Sequence, residues 1–353
     1  MTNSSAEEYR TKINSIESDF REFNESVQLP SKQSSLNDLN AEINQLSTRL
    51  TDLRTRGYAF EKNLENEAKQ LLMRWRRKEP GIKRKINQES QELEADLRKL
   101  EPQVRSLASL KNNPTAARSR LPRLESTIKN LESKISAAET SIQNMISPEE
   151  REYGQLDAII KKAEWALEQI DEASFTLLAT ESIIQAVEAT WIEGKEDKSD
   201  PKGILYLTDQ RMLFEQKQEI AKKKVLFITT DKEMVQKMIF EVPVALVEEA
   251  KPEKQGMLKN QDHLFFTFGS GANLGSAHVH IFHQDCKDWQ SLIKKARQGD
   301  FDQERAIEID TQVEEKLKEA PSECPQCSGA ITQPILRGQD TINCEYCGFV
   351  IRL

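Results

Sequence analysis

The chain has 353 residues, of which 31% are charged and 6% aromatic, and a formal net charge of −8. That length allows two or three domains, the scarcity of aromatics argues against one large globule, and the acidic balance disfavours indiscriminate binding to nucleic acid. No run of about 18 apolar residues occurs, so no spanning helix is expected, and the opening MTNSSAEEYR carries no secretory core.

In chain order, a first weak heptad through Ile13, Ile16, Phe20, Phe23 and Val27 marks an N-terminal helix over residues 1–30. Pro30 interrupts it, and Ser31 or Ser34 is placed to cap the next helix. Apolar residues then recur in steps of three and four: Leu36, Leu39, Ile43, Leu46, Leu50, Leu53, Gly57, Phe60, Leu64 and Leu71. Such a repeat keeps one narrow stripe facing a partner helix, the coiled-coil condition. It predicts a helix to about Lys78, with Gly57 and Glu67 as weak points in the seam. Pro80-Gly81 predicts a turn or kink. A further helix carries Ile86, Leu93, Leu97, Leu100, Val104 and Leu107, with a kink at Pro102, and Asn112-Asn113-Pro114 predicts a second turn. The cleanest repeat is Leu121, Leu124, Ile128, Leu131, Ile135, Ala138, Ile142 and Met145. Ser147-Pro148-Glu149-Glu150 reads as a capping box that restarts a helix, with Tyr153, Leu156, Ile160, Ala163, Leu167 and Ile170 as its seam. Short breaks suit antiparallel hairpins over residues 31–173, and pairing between chains fits the pattern equally.

Near Ser174 the period falls to 2. Ile183–Ile192 and Gly203–Phe214 predict paired strands joined by the polar loop EGKEDKSDPK, and strand-like runs follow at Val225–Thr229, Met238–Val247, His263–Phe268 and Ala277–Phe282. GSGANLG, Gly269–Gly275, predicts a hairpin loop, and Asp285–Ala296 an amphipathic helix with Trp289, Leu292, Ile293 and Ala296 inward. Antiparallel strands closed by one helix predict a small barrel plugged at one end. GILYLTDQRMLF, FEVPVALVEEAK and DCKDWQSLIKKA resemble the GRAM branch of the pleckstrin-homology-like superfold over residues 178–298. The resemblance implies a module that docks on lipid headgroups or protein segments and carries out no reaction. The basic pattern of phosphoinositide-binding members is poorly met, leaving Lys195, Lys198, Lys202 and Arg211 as candidate headgroup contacts. Residues 181–300 hold 17 basic and 19 acidic side chains, which argues against strong attraction to anionic lipid.

An acidic helical linker over residues 299–320 leads to CPQC-x16-CEYC: Cys324, Cys327, Cys344 and Cys347. Two C-x-x-C knuckles at that spacing point four thiolates at one ion, and Gly348 and Ser328-Gly329 suit turns that need positive φ. The tail, residues 321–353, resembles a zinc ribbon, with one structural Zn2+ as the expected cofactor and rubredoxin-like iron as the rival. Four protein ligands leave no position open for water or substrate. Only Arg337 and Arg352 stand against Glu323, Asp340 and Glu345 there, so protein docking is favoured over nucleic acid.

Three other groups invite chemistry. Arg74, Arg76, Arg77, Lys78, Lys83, Arg84 and Lys85 surround Trp75 and at a hairpin tip could touch an anionic membrane or nucleic acid; the ordinary reading is a solvated helix end. His263, His278, His280 and His283 could hold a second metal, but with Ala277, Val279 and Ile281 inward, His278 and His280 are expected to face water. Cys286 is expected to pack as a small buried residue, and Lys222-Lys223-Lys224 as a loop edge. Phosphate-loop, serine-hydrolase, zinc-protease and dinucleotide fingerprints are all missing. The expectation is a multidomain α + β, non-enzymatic cytoplasmic scaffold with protein partners, possible self-association through the coiled coil and peripheral membrane contact. A nucleic-acid-associated factor using the ribbon and the Arg74–Lys85 cluster is the alternative.

Overall fold

A computed structural model describes residues 3–194, 197, 199–225, 228–258 and 260–353. It is mixed helix and sheet, and the chain divides into two compact units: residues 1–48 with 65–157, and residues 49–64 with 158–353. No helix among the described residues is long and apolar enough to cross a membrane.

The first unit is built from α1 (Asn3–Ser26), α2 (Pro30–Thr55), α3 (Leu64–Ala108) and α4 (Pro114–Asp171), the last residues of α2 and α4 belonging to the second unit. The heptad residues form its interior: Ile13, Ile16, Leu36, Ile43, Leu46, Ile86, Leu93, Leu124 and Ile142 are all buried within one chain. Polar contacts set the register. Arg10 reaches Asn112 at 2.9 Å, Trp75 donates to Asn40 at 3.0 Å, and Lys134 meets Asp96 at 2.6 Å. Helices α1 and α2 thus follow one another antiparallel to α3, and α4 returns along α3. The stripes are covered within the chain.

Several expected breaks are absent. Helix α3 continues through Pro80-Gly81 without a turn, because Leu71, Trp75, Ile82 and Ile86 lie buried on both sides of the proline. Burying each such side chain is worth about 1.5–3 kcal/mol, so the four together outweigh the roughly 3 kcal/mol an interior proline forfeits. Pro102 is also inside α3, and α4 likewise passes Pro148, where Ser147 Oγ bonds the Gln143 carbonyl at 2.8 Å and caps nothing. The seam there uses Ile146, while Met145 is exposed. Helix α2 begins at Pro30 itself, a favoured first-turn residue, so Ser31 and Ser34 lie inside it.

The real break is at Gly57. Helix α2 stops at Thr55, Gly57 takes φ 90°, Gly57 N–H bonds Arg54 O at 3.0 Å and Tyr58 N–H bonds Leu53 O at 2.9 Å. This is a Schellman ending, for which a left-handed glycine is the favoured residue. Phe60 therefore leaves the seam and packs in the second unit against Phe301, ring centroids 5.2 Å apart.

The second unit carries a seven-stranded antiparallel sheet in the order β4-β3-β2-β1-β7-β6-β5. Its strands are β1 (Ile183–Trp191), β2 (Lys202–Thr208), β3 (Arg211–Val225), β4 (Ile228–Pro243), β5 (Val247–Gln255), β6 (Gln261–Phe268) and β7 (Ser276–Ile281). Gly203–Phe214 is two strands, not one: Thr208 Oγ1 accepts from the amides of Gln210 and Arg211 at 3.1 and 2.7 Å and turns the chain at Asp209-Gln210. Of the run Val225–Thr229, Val225 ends β3 and Ile228 and Thr229 begin β4, the two residues between lying outside the described ones, and Lys222–Lys224 belong to β3 instead of a loop. At Gly203 a side chain would strike the Glu215 carbonyl across a bulge in β3, so β2 can approach there only as glycine. Trp191, Phe214, Phe240 and Phe268 pack on the inner face.

Helix α5 (Cys286–Gln298), N-capped by Asp285, lays Trp289, Ile293 and Ala296 inward as expected, while Leu292 is half-buried, and a left-handed Gly299 ends it. A 3-10 turn at Asp300–Glu304 and helix α6 (Thr311–Glu319) lead to the tail, where β8 (Thr341–Asn343) pairs with β9 (Val350–Arg352).

Candidate metal centre

The tail's two knuckles have the same build. Ser328 N–H bonds Cys324 O at 2.8 Å and Cys324 N–H bonds Gly329 O at 2.8 Å; Gly348 and Cys344 repeat this, with Phe349 O as acceptor, at 2.9 Å each. The residue after the second cysteine is left-handed in both knuckles, Ser328 at φ 55° and Gly348 at φ 73°. The expectation of a positive-φ turn therefore holds at Ser328, while Gly329 is required because the Tyr346 ring lies where its side chain would be.

These turns bring all four sulfurs within metal-ligating distance of one another. Cys324 Sγ lies 3.8 Å from Cys347 Sγ, and Cys327 Sγ 3.6 Å from Cys344 Sγ. Metal–thiolate bonds of about 2.3 Å in a tetrahedron place sulfurs about 3.8 Å apart. The donor set thus fits one ion with soft ligands. Amides of Cys347 and Tyr346 aimed at Cys344 stabilise its thiolate and bring that thiol down to about 6. Cys324, Ile342, Cys344 and Ile351 form the buried centre of the tail, half-buried Ile331, Ile335 and Leu353 packing against it. A ribbon of that size has little core to hold it closed without a cross-link.

The ribbon is seated on the sheet. The Gln210 side chain pairs with the Arg337 backbone, Nε2 donating to Arg337 O at 3.0 Å and Oε1 accepting from Arg337 N–H at 2.5 Å. The Arg337 guanidinium meets Asp209 and Asp302, the same Asp209 Oδ2 also takes Arg305 at 2.7 Å, and Ser182 N–H donates to Oδ1 at 3.0 Å. Gly338 lies against the Ala179 backbone, too close for any side chain. Nothing in the local sequence marks this contact: Asp209-Gln210 reads as a plain turn and Arg337 as a surface cation.

Other candidate residues are placed differently. Trp75 is 0% exposed and bonded to Asn40, so it cannot meet a membrane or a nucleic acid. With α3 continuous, the Arg74–Lys85 cluster is no hairpin tip. Arg74 pairs with Glu152, Lys78 with Glu149 at 2.6 Å, Lys83 with Glu79 and Lys85 with Glu89 at 2.5 Å, while Arg76, Arg77 and Arg84 are exposed on the same helix. Of the headgroup set, Lys195 and Lys198 lie outside the described residues and Lys202 is exposed. Arg211 is 5% exposed, its Nε 2.9 Å from buried Glu181 and its Nη1 2.6 Å from Glu241. It is a structural ion pair, because a guanidinium taken from water needs a carboxylate beside it.

Of the two histidines expected to face water, His280 is buried and His278 half-buried, while His283 is exposed. His263 and His280 are buried with rings stacked 4.6 Å apart, and His263 Nδ1 is 2.9 Å from His278 Nε2. Flanking Phe265 and Phe282 supply the cover. Among the described residues they do not form a metal-ligating group; Asp262, Asp285 and Cys286 do. There the Lys254 ammonium already bridges the two carboxylates at 2.5 and 3.0 Å, so the place of a cation is taken. Cys286 is buried as expected, and desolvation with Asp262 alongside pushes its thiol up to about 11, which makes it a poor nucleophile.

No family model and no curated protein matches this chain. Among solved structures it is similar to the Vps36 N-terminal PH domain, at 13% identity over 33% of this chain and 80% of that one, with a TM-score of 0.23. It is similar to the DH/PH domains of PDZ-RhoGEF in complex with activated RhoA, at 11% identity over 85% and 96% of the chains with a TM-score of 0.25. It is also similar to a DH/PH fragment of PDZRHOGEF with human RhoA, at 10% identity over 84% and 96%, TM-score 0.26. These neighbours are PH and DH/PH domains, and at such scores they carry no argument about this chain's activity.

Proposed function

We propose that the chain is a non-enzymatic cytoplasmic scaffold. The helical segment sets spacing, a GRAM-like, pleckstrin-homology-like β-module recognises a protein segment, and the tail is a structural zinc ribbon with one ion per chain. The observation that carries this reading is the set of four sulfurs at tetrahedral spacing, which fills every coordination position with protein and leaves none for a reacting molecule. Zinc is preferred to iron by the knuckle spacing and because a structural clasp needs no redox change. A protein ligand is preferred to a lipid because the described part of the headgroup set retains Lys202 while Arg211 is buried in an ion pair. The nucleic-acid alternative loses Trp75 to the interior, and Arg337 to Asp209, so no observation favours it.

Metal analysis of protein purified under reducing conditions tests the first half: one equivalent of zinc and a colourless solution are expected, and a red, iron-containing protein overturns it. Co-sedimentation with vesicles, with and without acidic lipid, and retention on DNA or RNA at low salt test the second. Weak, composition-independent vesicle binding and no nucleic-acid retention are expected. Strong salt-dependent retention on nucleic acid would reverse the preference.

A further inference from the structure

Arg337 sits at the middle of the 328–343 loop, whose ends are the two knuckles. Its backbone is paired with Gln210 and its guanidinium with Asp209 and Asp302, while Gly338 presses on Ala179. Asp209 in turn holds the Ser182 amide at the head of β1 and Arg305 beyond α5, and Arg305 donates to Thr180 O at 3.0 Å. One buried carboxylate therefore ties together the ribbon, the entry into the sheet and the segment after α5. Closing a loop of this length with a cross-link holds its ends together and removes their relative freedom, so the metal narrows the region in which Arg337 finds that contact.

We infer that metal occupancy at Cys324, Cys327, Cys344 and Cys347 acts on the sheet through the Arg337 strap, making the β2–β3 turn and the start of β1 a metal-responsive element and not merely the neighbour of an appended ribbon. The inference rests on the metal-ribbon reading above. With the ion removed, the 328–343 loop regains its freedom and Arg337 leaves Asp209. Ser182, Asp209, Gln210 and Arg211, whose amides bond Asp209 Oδ1, Ser182 O and Thr208 Oγ1, then open more often. The β5–β6 and β6–β7 ladders, which share no bond with the ribbon contact, stay as they were.

The test is amide hydrogen exchange on the full chain before and after treatment with a zinc chelator in reducing buffer, with released metal measured in the same sample. Expected is an increase of about tenfold in exchange at Ser182 and 209–211, the effect of one lost charge-assisted bond, with the β6–β7 amides unchanged. In Arg337→Ala, metal stays bound and the turn exchanges fast with or without chelator; Gln210→Ala, altering the other side of the contact, gives the same insensitivity. Metal release that leaves 209–211 as protected as before overturns the coupling while sparing the metal reading. Protein that never holds metal fails at the earlier step, and the two failures are told apart by the metal assay.

Discussion

In the helical unit, order is spread along antiparallel rows of buried Leu, Ile and Val, no one of which is indispensable; in the tail it is concentrated at four sulfurs and two isoleucines. The first can absorb an internal proline or a frame shift from Met145 to Ile146, because many small gains add up. The second has no such reserve: under the proposed reading, one ion supplies the free energy that a larger fold draws from apolar area. The sheet lies between, with a full aromatic core and a buried ion pair whose loss the core cannot make good.

The sharpest way to break this contrast is Cys344→Ser. Removing one of four ligands is expected to abolish stoichiometric metal binding and unfold residues 321–353, seen by metal analysis and loss of dispersed amide signals, while the helical content by circular dichroism holds. A ribbon that stays folded without metal would show that its small core suffices. Trp75→Ala is next: emptying a fully buried indole site should destabilise the helical unit by about 3–5 kcal/mol, read as a lowered unfolding midpoint with metal content unchanged. Arg211→Met leaves Glu181 charged and buried, and a loss of comparable size, roughly 3–5 kcal/mol, is expected in the sheet. An unchanged midpoint with altered vesicle binding would instead return Arg211 to the headgroup set. Pro80→Ala should stabilise the helical unit by up to about 3 kcal/mol, read as a raised midpoint, since α3 is already continuous through that site.

The smallest effect concerns Asp96. Hydrogen bonds from Lys134 and Lys99 hold its carboxyl below the ordinary 3.8. The folded value is the depressed one, so the contribution is complete above the ordinary value and fades as pH falls through the folded value. Asp96→Asn should cost about 0.5 kcal/mol near neutrality, as for a surface pair, and nothing in strong acid, measured by denaturant titration at the two pH values.

Much of the fold is legible in the residues. Heptad spacing locates the buried rows from Ile13 to Leu167, GSGANLG marks a hairpin loop, and Asp285 with Trp289, Ile293 and Ala296 marks α5. The differences share a cause: burial outweighs local punctuation. Pro80-Gly81, Pro102 and Ser147-Pro148 are break signals when a helix stands alone, yet each lies inside a helix held by neighbours. Gly57, an ordinary seam defect by period, is a true helix end because Tyr58 and Phe60 have another core to enter. Trp75 and Arg211 read as surface residues from the charges beside them in sequence, whereas their partners, Asn40 and Glu181, lie 35 and 30 positions away.

Sequence spacing by itself determined the thiol set and the periodicities, since a C-x-x-C knuckle and a heptad are local devices whose geometry a few consecutive residues dictate. Only the tertiary structure decided which helices pass their prolines, which cations are spent on internal carboxylates and that Arg337 closes on Asp209. Those outcomes depend on desolvation, and desolvation is a property of what the rest of the chain brings alongside.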